Sequence, residues 1–217
     1  MELDIKEKIL SDHEGDASQL NAVFNDSPRI ILEAPAGCGK TKTMVSKVAY
    51  LLATNTIPVN KKILALTFSV NSAYKMKKDI AEKLPNIGIT SISSPVSLNH
   101  KVSITNYHGF ARRVLSLYGY LLHTDLPAVN LFTAFNEENL TGIANANIVL
   151  VENQISLLNS FSSYIKTCDI QNIEKYFDRY CNLLLEKFIP NQSITYNGYL
   201  ALCIKLLENH ISLKVSA

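Results

Sequence analysis

One stretch decides the fold of this 217-residue chain: Arg29-Ile30-Ile31-Leu32-Glu33-Ala34-Pro35-Ala36-Gly37-Cys38-Gly39-Lys40-Thr41. A short apolar run predicts a strand over 29–33, and the two glycines predict a turn after it. Apolar residues at helical spacing then predict a helix from 40 to 53. A strand, a glycine-containing turn and a helix, with Gly-Lys-Thr at the junction, are typical of a phosphate-binding loop.

The residue types of this loop suit the phosphate groups of a nucleotide and Mg²⁺. Small residues let consecutive backbone N–H groups point at phosphate oxygens, and the helix N-terminus adds partial positive charge. Lys40 is predicted to bind the β- and γ-phosphates, and the Thr41 hydroxyl is predicted to bind Mg²⁺. Ala34 replaces the first glycine of the usual pattern, and as the smallest replacement it should preserve the loop. The other predicted nucleotide contacts are Pro35, Ala36, Gly37, Cys38, Gly39 and Lys42.

Composition limits the class of protein. The chain is 47% hydrophobic and 18% charged, as in an ordinary soluble globular protein. No apolar run approaches the roughly 20 residues of a membrane span, and four cysteines without a CxxC pair predict neither a zinc site nor a disulfide framework. We therefore expect a cytoplasmic protein. Through Ser116 there are 15 Lys or Arg against 10 Asp or Glu, a bias that suits polyanionic partners.

Hydrophobic periodicity predicts two regions of different character. Strands and helices alternate up to about residue 118, which predicts an α/β fold with a parallel sheet. From 126 to 190 the apolar spacing is helical, and no glycine occurs between Gly142 and Gly198, which predicts an all-α insert. We predict three parts, 1–118, 119–192 and 193–217. The predicted elements are helices 3–14, 16–25, 40–53, 71–84 and 107–118, strands 29–33, 62–68 and 102–105, a loop over 85–100, and a last helix from 193 to about 207.

Three further segments, one before the loop and two after it, carry residues that suggest a function. Gln19 lies 21 residues before Lys40, Thr67-Phe68-Ser69 ends the second predicted strand, and Tyr107-His108-Gly109-Phe110 follows the third. In this order the set resembles superfamily 1 DNA helicases of the UvrD/Rep type. The resemblance is clear over 16–116 and returns weakly at 194–202.

The resemblance implies a RecA-like P-loop NTPase sheet with an inserted helical subdomain. It implies that Gln19 reads the adenine edge and that the protein moves along single-stranded DNA, 3′ to 5′, with hydrolysis of ATP. It also implies single-stranded DNA contacts, which hydroxyls and aromatic faces at strand ends are suited to make. Val70-Asn71 and Asn106 depart from the family's pattern. The implied DNA contacts are Thr67, Phe68, Ser69, Tyr107 and His108.

The acidic pair that ATP hydrolysis requires in this helicase family is absent. The chain contains no Asp-Glu dipeptide, and the nearest imitation, Ile148 to Gln154, supplies only Glu152. The resemblance therefore implies that Walker B and arginine fingers belong to remaining C-terminal helicase domains, and we expect no ATPase activity from this chain alone. One alternative is a non-catalytic nucleotide- or DNA-binding module that acts by itself. An unrelated P-loop ATPase is the other, and the segments at 67–69 and 107–110 argue against it.

Overall fold

The structure is a computed structural model that describes residues 2–27, 29–87 and 95–210. It divides into two compact units, Met1–Asn106 and Tyr107–Ala217. The three-part division predicted from the sequence stays a prediction, and the boundary between the compact units falls before the helix at 107–118 instead of after it. No helix in the described ranges is long and apolar enough to cross a membrane.

Unit 1 is an α/β unit with a two-stranded parallel sheet. Strands β1 and β2 pair in parallel, from Ile63 opposite Val102 to Thr67 opposite Asn106. Parallel neighbours need a crossover connection, and two helices supply it here. The elements are α1 (Glu2–Asp12), α2 (Ala17–Phe24), α3 (Lys40–Ala53), β1 (Ile63–Thr67), α4 (Val70–Asn86), α5 (Pro95–Lys101) and β2 (Val102–Asn106).

Amphipathic helices form the core of unit 1. The predicted helix at 40–53 is confirmed as α3, and its apolar face packs against α2 and α4. Asp16 and Ser69 cap α2 and α4, because each side chain accepts hydrogen bonds from backbone N–H groups of the first turn. The fully buried side chains of this core include Ile9, Val23, Ala49, Ile80, Leu84 and Leu98.

Two predictions for unit 1 are wrong. Residues 29–33 form no strand, and Ile31 is 87% exposed. A strand needs a neighbour for its backbone groups, and the one ladder among the described residues of unit 1 joins β1 to β2. The predicted loop at 85–100 ends in α5, which begins at Pro95 because proline suits the first position of a helix. Residues 88–94 of that prediction lie outside the described residues.

Unit 2 is mostly helical. Its helices are α6 (Tyr107–Tyr118), α7 (Leu140–Asn145), α8 (Glu152–Lys166), α9 (Ile170–Leu183) and α10 (Tyr196–Asn209), with short 3₁₀ and π turns between them. Helix α6 packs on α10, and α8 packs on α9. Tyr180 stacks on Phe161 with the ring centroids 4.0 Å apart, at the centre of the core.

The prediction of an all-α insert misses a small sheet. Strands β3 (Thr133–Phe135) and β4 (Ser193–Thr195) pair in parallel, with Phe135 opposite Thr195. Three residues are too few to show a two-residue hydrophobic alternation, so the sequence pattern does not reveal them. The last helix begins at Tyr196, later than predicted, because the Thr195 side chain caps it by accepting from the Gly198 N–H.

Candidate functional site

The turn at 34–39 contains two glycines in a backbone conformation that other residues rarely adopt. Gly37 and Gly39 have φ angles of 87° and 76°, in the left-handed region that glycine occupies without steric cost. Gly39 is also the N-cap of α3, so the loop leads into the positive end of that helix dipole. A Cβ atom at Gly37 would meet nothing within 4 Å, so the loop is open on that side.

Lys40 folds back over the loop. Its ammonium donates to the carbonyl oxygen of Pro35 at 2.7 Å and to the carbonyl oxygen of Ala34. Neutral carbonyl groups are weaker partners for an ammonium than charged phosphate oxygens. The side chain therefore lies at the loop with contacts that an anion would replace. The Lys40 ammonium, together with the open space beside Gly37, suits a polyphosphate group.

Gln19 lies directly against the loop, as its spacing from Lys40 predicts. A Cβ atom at Gly39 would lie 2.9 Å from Gln19 Nε2, so the side-chain amide packs on the glycine backbone. The same Nε2 donates to Asp16 Oδ2 at 3.0 Å. The N–H of Gln19 also donates to Asp16 Oδ1 at 3.0 Å, in the cap of α2. The positive φ of residue 39 therefore favours glycine, and any larger side chain there would have to displace the Gln19 amide.

A buried histidine holds the other side of the Gln19 amide. His13 is only 3% exposed. Its Nδ1 lies 2.7 Å from Gln19 Oε1, and its Nε2 lies 2.7 Å from the hydroxyl of Ser46. The sequence analysis missed both His13 and Ser46. No local signal could have joined them, since they are 33 positions apart and lie on different elements, His13 directly after α1 and Ser46 in α3.

Lys42 contacts Asp12, whereas Thr41 is exposed to solvent. Lys42 donates to the backbone oxygen of Asp12 and lies 4.0 Å from its carboxylate. Partial burial acts to raise the pKa of that carboxyl group, but Lys83 and Lys42 outweigh it, and the pKa lies below its ordinary value. Thr41 is exposed in the first turn of α3. The nucleotide and metal roles of these two residues stay predictions.

The end of β1 in unit 1 carries the first predicted DNA segment. Thr67 donates through its hydroxyl to the Ser69 carbonyl at 2.9 Å, and Ser69 caps α4. These bonds turn the chain sharply and leave Phe68 93% exposed. An aromatic ring held in solvent by a tight turn has no packing role in this unit. Exposure on this scale is compatible with a base-stacking surface.

A groove of about 240 Å³ lies between α4 and β2 in the same unit. Tyr74, which is 74% exposed, and Lys77 lie on its α4 side. The sequence analysis missed Tyr74, although its position four residues after Val70 on an exposed helix face was a signal. The remaining lining residues are Val70, Ala73, Ile104, Thr105 and Asn106.

The second predicted DNA segment opens unit 2. Tyr107 is 48% exposed at the start of α6. The ring of His108 is partly buried and lies edge-on to Tyr196, with centroids 6.4 Å apart. One turn on, Arg112 donates to the Tyr199 hydroxyl at 3.0 Å. The first turns of α6 and α10 are thus joined by side-chain contacts within this unit.

Comparison with known proteins gives the family. The family model described as UvrD/REP helicase N-terminal domain matches residues 16–212. The chain belongs to this family. The match begins at the Asp16 cap of α2 and extends through the glycine turn to just beyond α10, so the UvrD/REP resemblance of the sequence is confirmed in both units.

Relatives of this UvrD/REP chain are much longer proteins. Over 209 residues it is 27% identical to an ATP-dependent helicase/nuclease subunit of Bacillus cytotoxicus, covering 84% of the chain and 17% of that protein. Over 113 residues it is 33% identical to the protein of the same name from Bacillus velezensis, covering 49% of the chain and 9% of that protein. The chain thus spans less than a fifth of the length of these relatives.

Residues 148–154, the nearest match to an acidic Walker B strand, do not form a strand. Glu152 is the first residue of α8 and is exposed. It therefore lacks the strand-end position that a Walker B carboxylate would need. Within the described ranges, no group of three or more His, Cys, Asp or Glu side chains could hold a metal ion.

Proposed function

We propose that this chain is the ATP-binding N-terminal part of an ATP-dependent DNA helicase that moves along single-stranded DNA, 3′ to 5′. One observation carries the proposal: the Lys40 ammonium lies on the carbonyl groups of an open glycine loop, and the Gln19 amide packs against the last glycine. A group suited to phosphate and a group suited to the base thus lie against the same loop. Family membership and the names of the relatives support the same function.

In this proposal each loop residue has a separate task. The backbone N–H groups of 36–39 and the start of α3 hold the phosphate oxygens. Lys40 leaves its two carbonyl partners for the β- and γ-phosphates, and Thr41 binds Mg²⁺, which supplies neutralising charge when bound. Gln19 contacts adenine, and Ala34, Pro35, Cys38 and Lys42 complete the nucleotide contacts.

The DNA-binding side of the proposal uses the two segments that follow strands. Thr67 and Ser69 bind the DNA backbone, Phe68 and Tyr107 stack on bases, and His108 lies next to the strand. The two-stranded sheet belongs to a RecA-like sheet, and the helical region at 119–192 is its insert. We further propose that the remaining helicase domains supply the acidic pair and the arginine fingers.

Alkylation of Cys38 tests the nucleotide site directly. Cys38 is exposed within the loop, and Cys168 is also an exposed thiol, in unit 2. ATP with Mg²⁺ should slow the reaction of Cys38 with iodoacetamide and leave the rate at Cys168 unchanged, as measured by peptide mass spectrometry. Because millimolar ATP is usable, the assay works even at low affinity.

Lys40→Ala should abolish the protection, because the phosphates lose their charged partner. Lys8→Ala is a matched control, since Lys8 is an exposed lysine that pairs with Asp4 one helical turn away. Both variants should keep the circular dichroism spectrum of the wild type. Equal protection of Cys38 in the wild type and in Lys40→Ala would overturn the phosphate-loop assignment.

A second candidate function is a nucleotide- or DNA-binding module without catalysis. The observation that favours it for this chain by itself is the absence of an Asp-Glu pair from the whole sequence. Such a module would show Lys40-dependent protection but no DNA-stimulated release of phosphate. ATP turnover well above background that disappears in Lys40→Ala would contradict this candidate and return Glu152 to consideration as a catalytic residue.

A further inference from the structure

The side-chain amide of Gln19 is held from two sides by groups that differ in kind. Asp16 Oδ2 lies 3.0 Å from one end of the amide, and His13 Nδ1 lies 2.7 Å from the other. His13 is almost fully buried, and its second nitrogen lies 2.7 Å from the Ser46 hydroxyl. The imidazole is therefore fixed at both of its nitrogen atoms.

The orientation of the amide follows from the hydrogen-bonding capacities of its neighbours. A carboxylate only accepts, so the end of the Gln19 amide that faces Asp16 must be the NH₂ group. The carbonyl oxygen of the amide therefore faces His13, and it only accepts, so Nδ1 of His13 must carry a proton. Rotation of the amide by 180° would place two acceptors together at Asp16. The two neighbours thus select one orientation.

The same count shows what remains for a ligand. The NH₂ group of Gln19 has two hydrogens, and Asp16 takes one of them. The carbonyl oxygen has two lone pairs, and His13 takes one of them. One donor and one acceptor are left, and a glutamine presenting both is the usual partner of the N6 and N7 edge of adenine. Guanine has acceptors at both of those positions, so the fixed amide would face its O6 with a lone pair.

We propose that His13 is a positioning residue that gives this site its preference for adenine over guanine nucleotides. The inference rests on the proposed ATP-binding function, and it assigns selectivity to a buried side chain that touches no nucleotide. Ser46 takes part by holding the far nitrogen of the imidazole. Asp16 takes part as the acceptor that fixes the amide, in addition to its role as the cap of α2.

Two substitutions of His13 separate the roles of its two ring nitrogen atoms. Asparagine places an N–H group near the position of Nδ1, so His13→Asn should keep the donor to Gln19. Glutamine reaches only the position of Nε2, so His13→Gln should lose that donor while still meeting Ser46. The readout is the ratio of the GTP and ATP concentrations that half-protect Cys38 from iodoacetamide. His13→Gln should lower this ratio roughly 5- to 10-fold, the net contribution of about one hydrogen bond, and His13→Asn should keep it within about twofold.

Asp16→Asn supplies an independent check. Asparagine remains a good helix cap, but its side chain both donates and accepts, so the amide of Gln19 loses its fixed orientation. This variant should also lower the preference for ATP, while Ser46→Ala should lower it less. Circular dichroism and the urea midpoint of each variant report the fold separately from the selectivity.

The possible outcomes separate this inference from the function on which it rests. If Lys40-dependent protection is absent in the wild type, the nucleotide site itself fails, and the inference fails with it. If protection depends on Lys40 but His13→Gln and Asp16→Asn keep the wild-type ratio of GTP to ATP, the inference alone is overturned. A fall in the ratio that is equal in His13→Asn and His13→Gln would also overturn it, because that result marks a packing effect.

Discussion

Replacing Tyr180 by phenylalanine removes one hydroxyl group from the centre of unit 2. Tyr180 is fully buried, and its hydroxyl donates to Glu137 Oε1 at 2.7 Å and lies 2.6 Å from the Thr195 hydroxyl. Glu137 is itself only 3% exposed. Burial raises the pKa of the Tyr180 hydroxyl well above its ordinary value, and the charge of Glu137 raises it further. The substitution therefore leaves a buried carboxyl group without this donor.

The expected loss can be worked out from these contacts. A hydrogen bond to a charged group contributes about 1.5–3 kcal/mol, because the alternative is a desolvated charge. The aromatic stacking on Phe161 is kept, so almost all of the loss comes from the hydroxyl. We expect the free energy of unfolding of unit 2 to fall by about 2–3 kcal/mol. With a urea dependence of about 1–3 kcal/mol per molar, the midpoint should move down by roughly 0.7–3 M.

Urea unfolding followed by circular dichroism measures this change, and two variants control it. Tyr176→Phe makes the same chemical change on the same helix, where the ring stacks on Tyr164, and it should cost much less. In a Glu137→Gln background the cost of Tyr180→Phe should shrink, because a neutral amide is less unfavourable to leave buried. Two results would show that the buried carboxyl group does not depend on the Tyr180 hydroxyl. One is a loss of unfolding free energy in Tyr180→Phe no larger than in Tyr176→Phe, and the other is an equal loss in the Glu137→Gln background.

Gly39→Ala should destabilise unit 1 by about 1–2 kcal/mol through left-handed backbone strain, and it should weaken protection by ATP because the new methyl group would lie 2.9 Å from the neighbouring side-chain amide. Urea midpoints and alkylation rates measure the two effects. Phe68→Ala should weaken single-stranded DNA binding roughly 5- to 150-fold at fixed low salt, while Tyr120→Ala, at an aromatic residue that is also exposed, should not; fluorescence anisotropy measures both. Burial raises the pKa of Cys181 to about 12 and that of Cys203 to about 11, from an ordinary 9.0. Above pH 9 these two thiols ionise in the unfolded chain but stay protonated in the folded protein. The stability of the protein should therefore be unaffected by them below pH 9 and should fall as the pH rises towards 12, which a pH series of urea midpoints measures.

Each of these three predictions can be contradicted by a specific result. Full protection by ATP in Gly39→Ala would show that the amide next to the loop moves freely. Unchanged DNA binding together with a melted fold in Phe68→Ala would show a core role for that ring. Stability that stays constant above pH 9, or rapid alkylation of Cys181 in the native protein, would show that the buried thiols are accessible.

The sequence by itself determined the glycine turn before α3 and the elements that follow it. Gly39-Lys40-Thr41 begins a helix of the predicted length, and the apolar run at 63–67 forms a strand that pairs in parallel with 102–106. These features depend on local spacing and on short-range steric rules, which a linear pattern records. The family resemblance also assigned Gln19 to the nucleotide, and its amide packs against Gly39, next to Lys40.

Only the tertiary structure decided the features that depend on a distant partner. The apolar run at 30–32 reads as a strand, but the described structure gives it no neighbour to bond with. His13 meets Ser46 across 33 positions, and Glu137 meets Tyr180 across 43. A buried polar side chain is tolerated only with a partner, and chain packing, not sequence spacing, supplies that partner. The sequence therefore predicted which groups lie at the glycine turn and at the strand ends, whereas the buried partners of Gln19 and Tyr180 became visible only once the helices were packed.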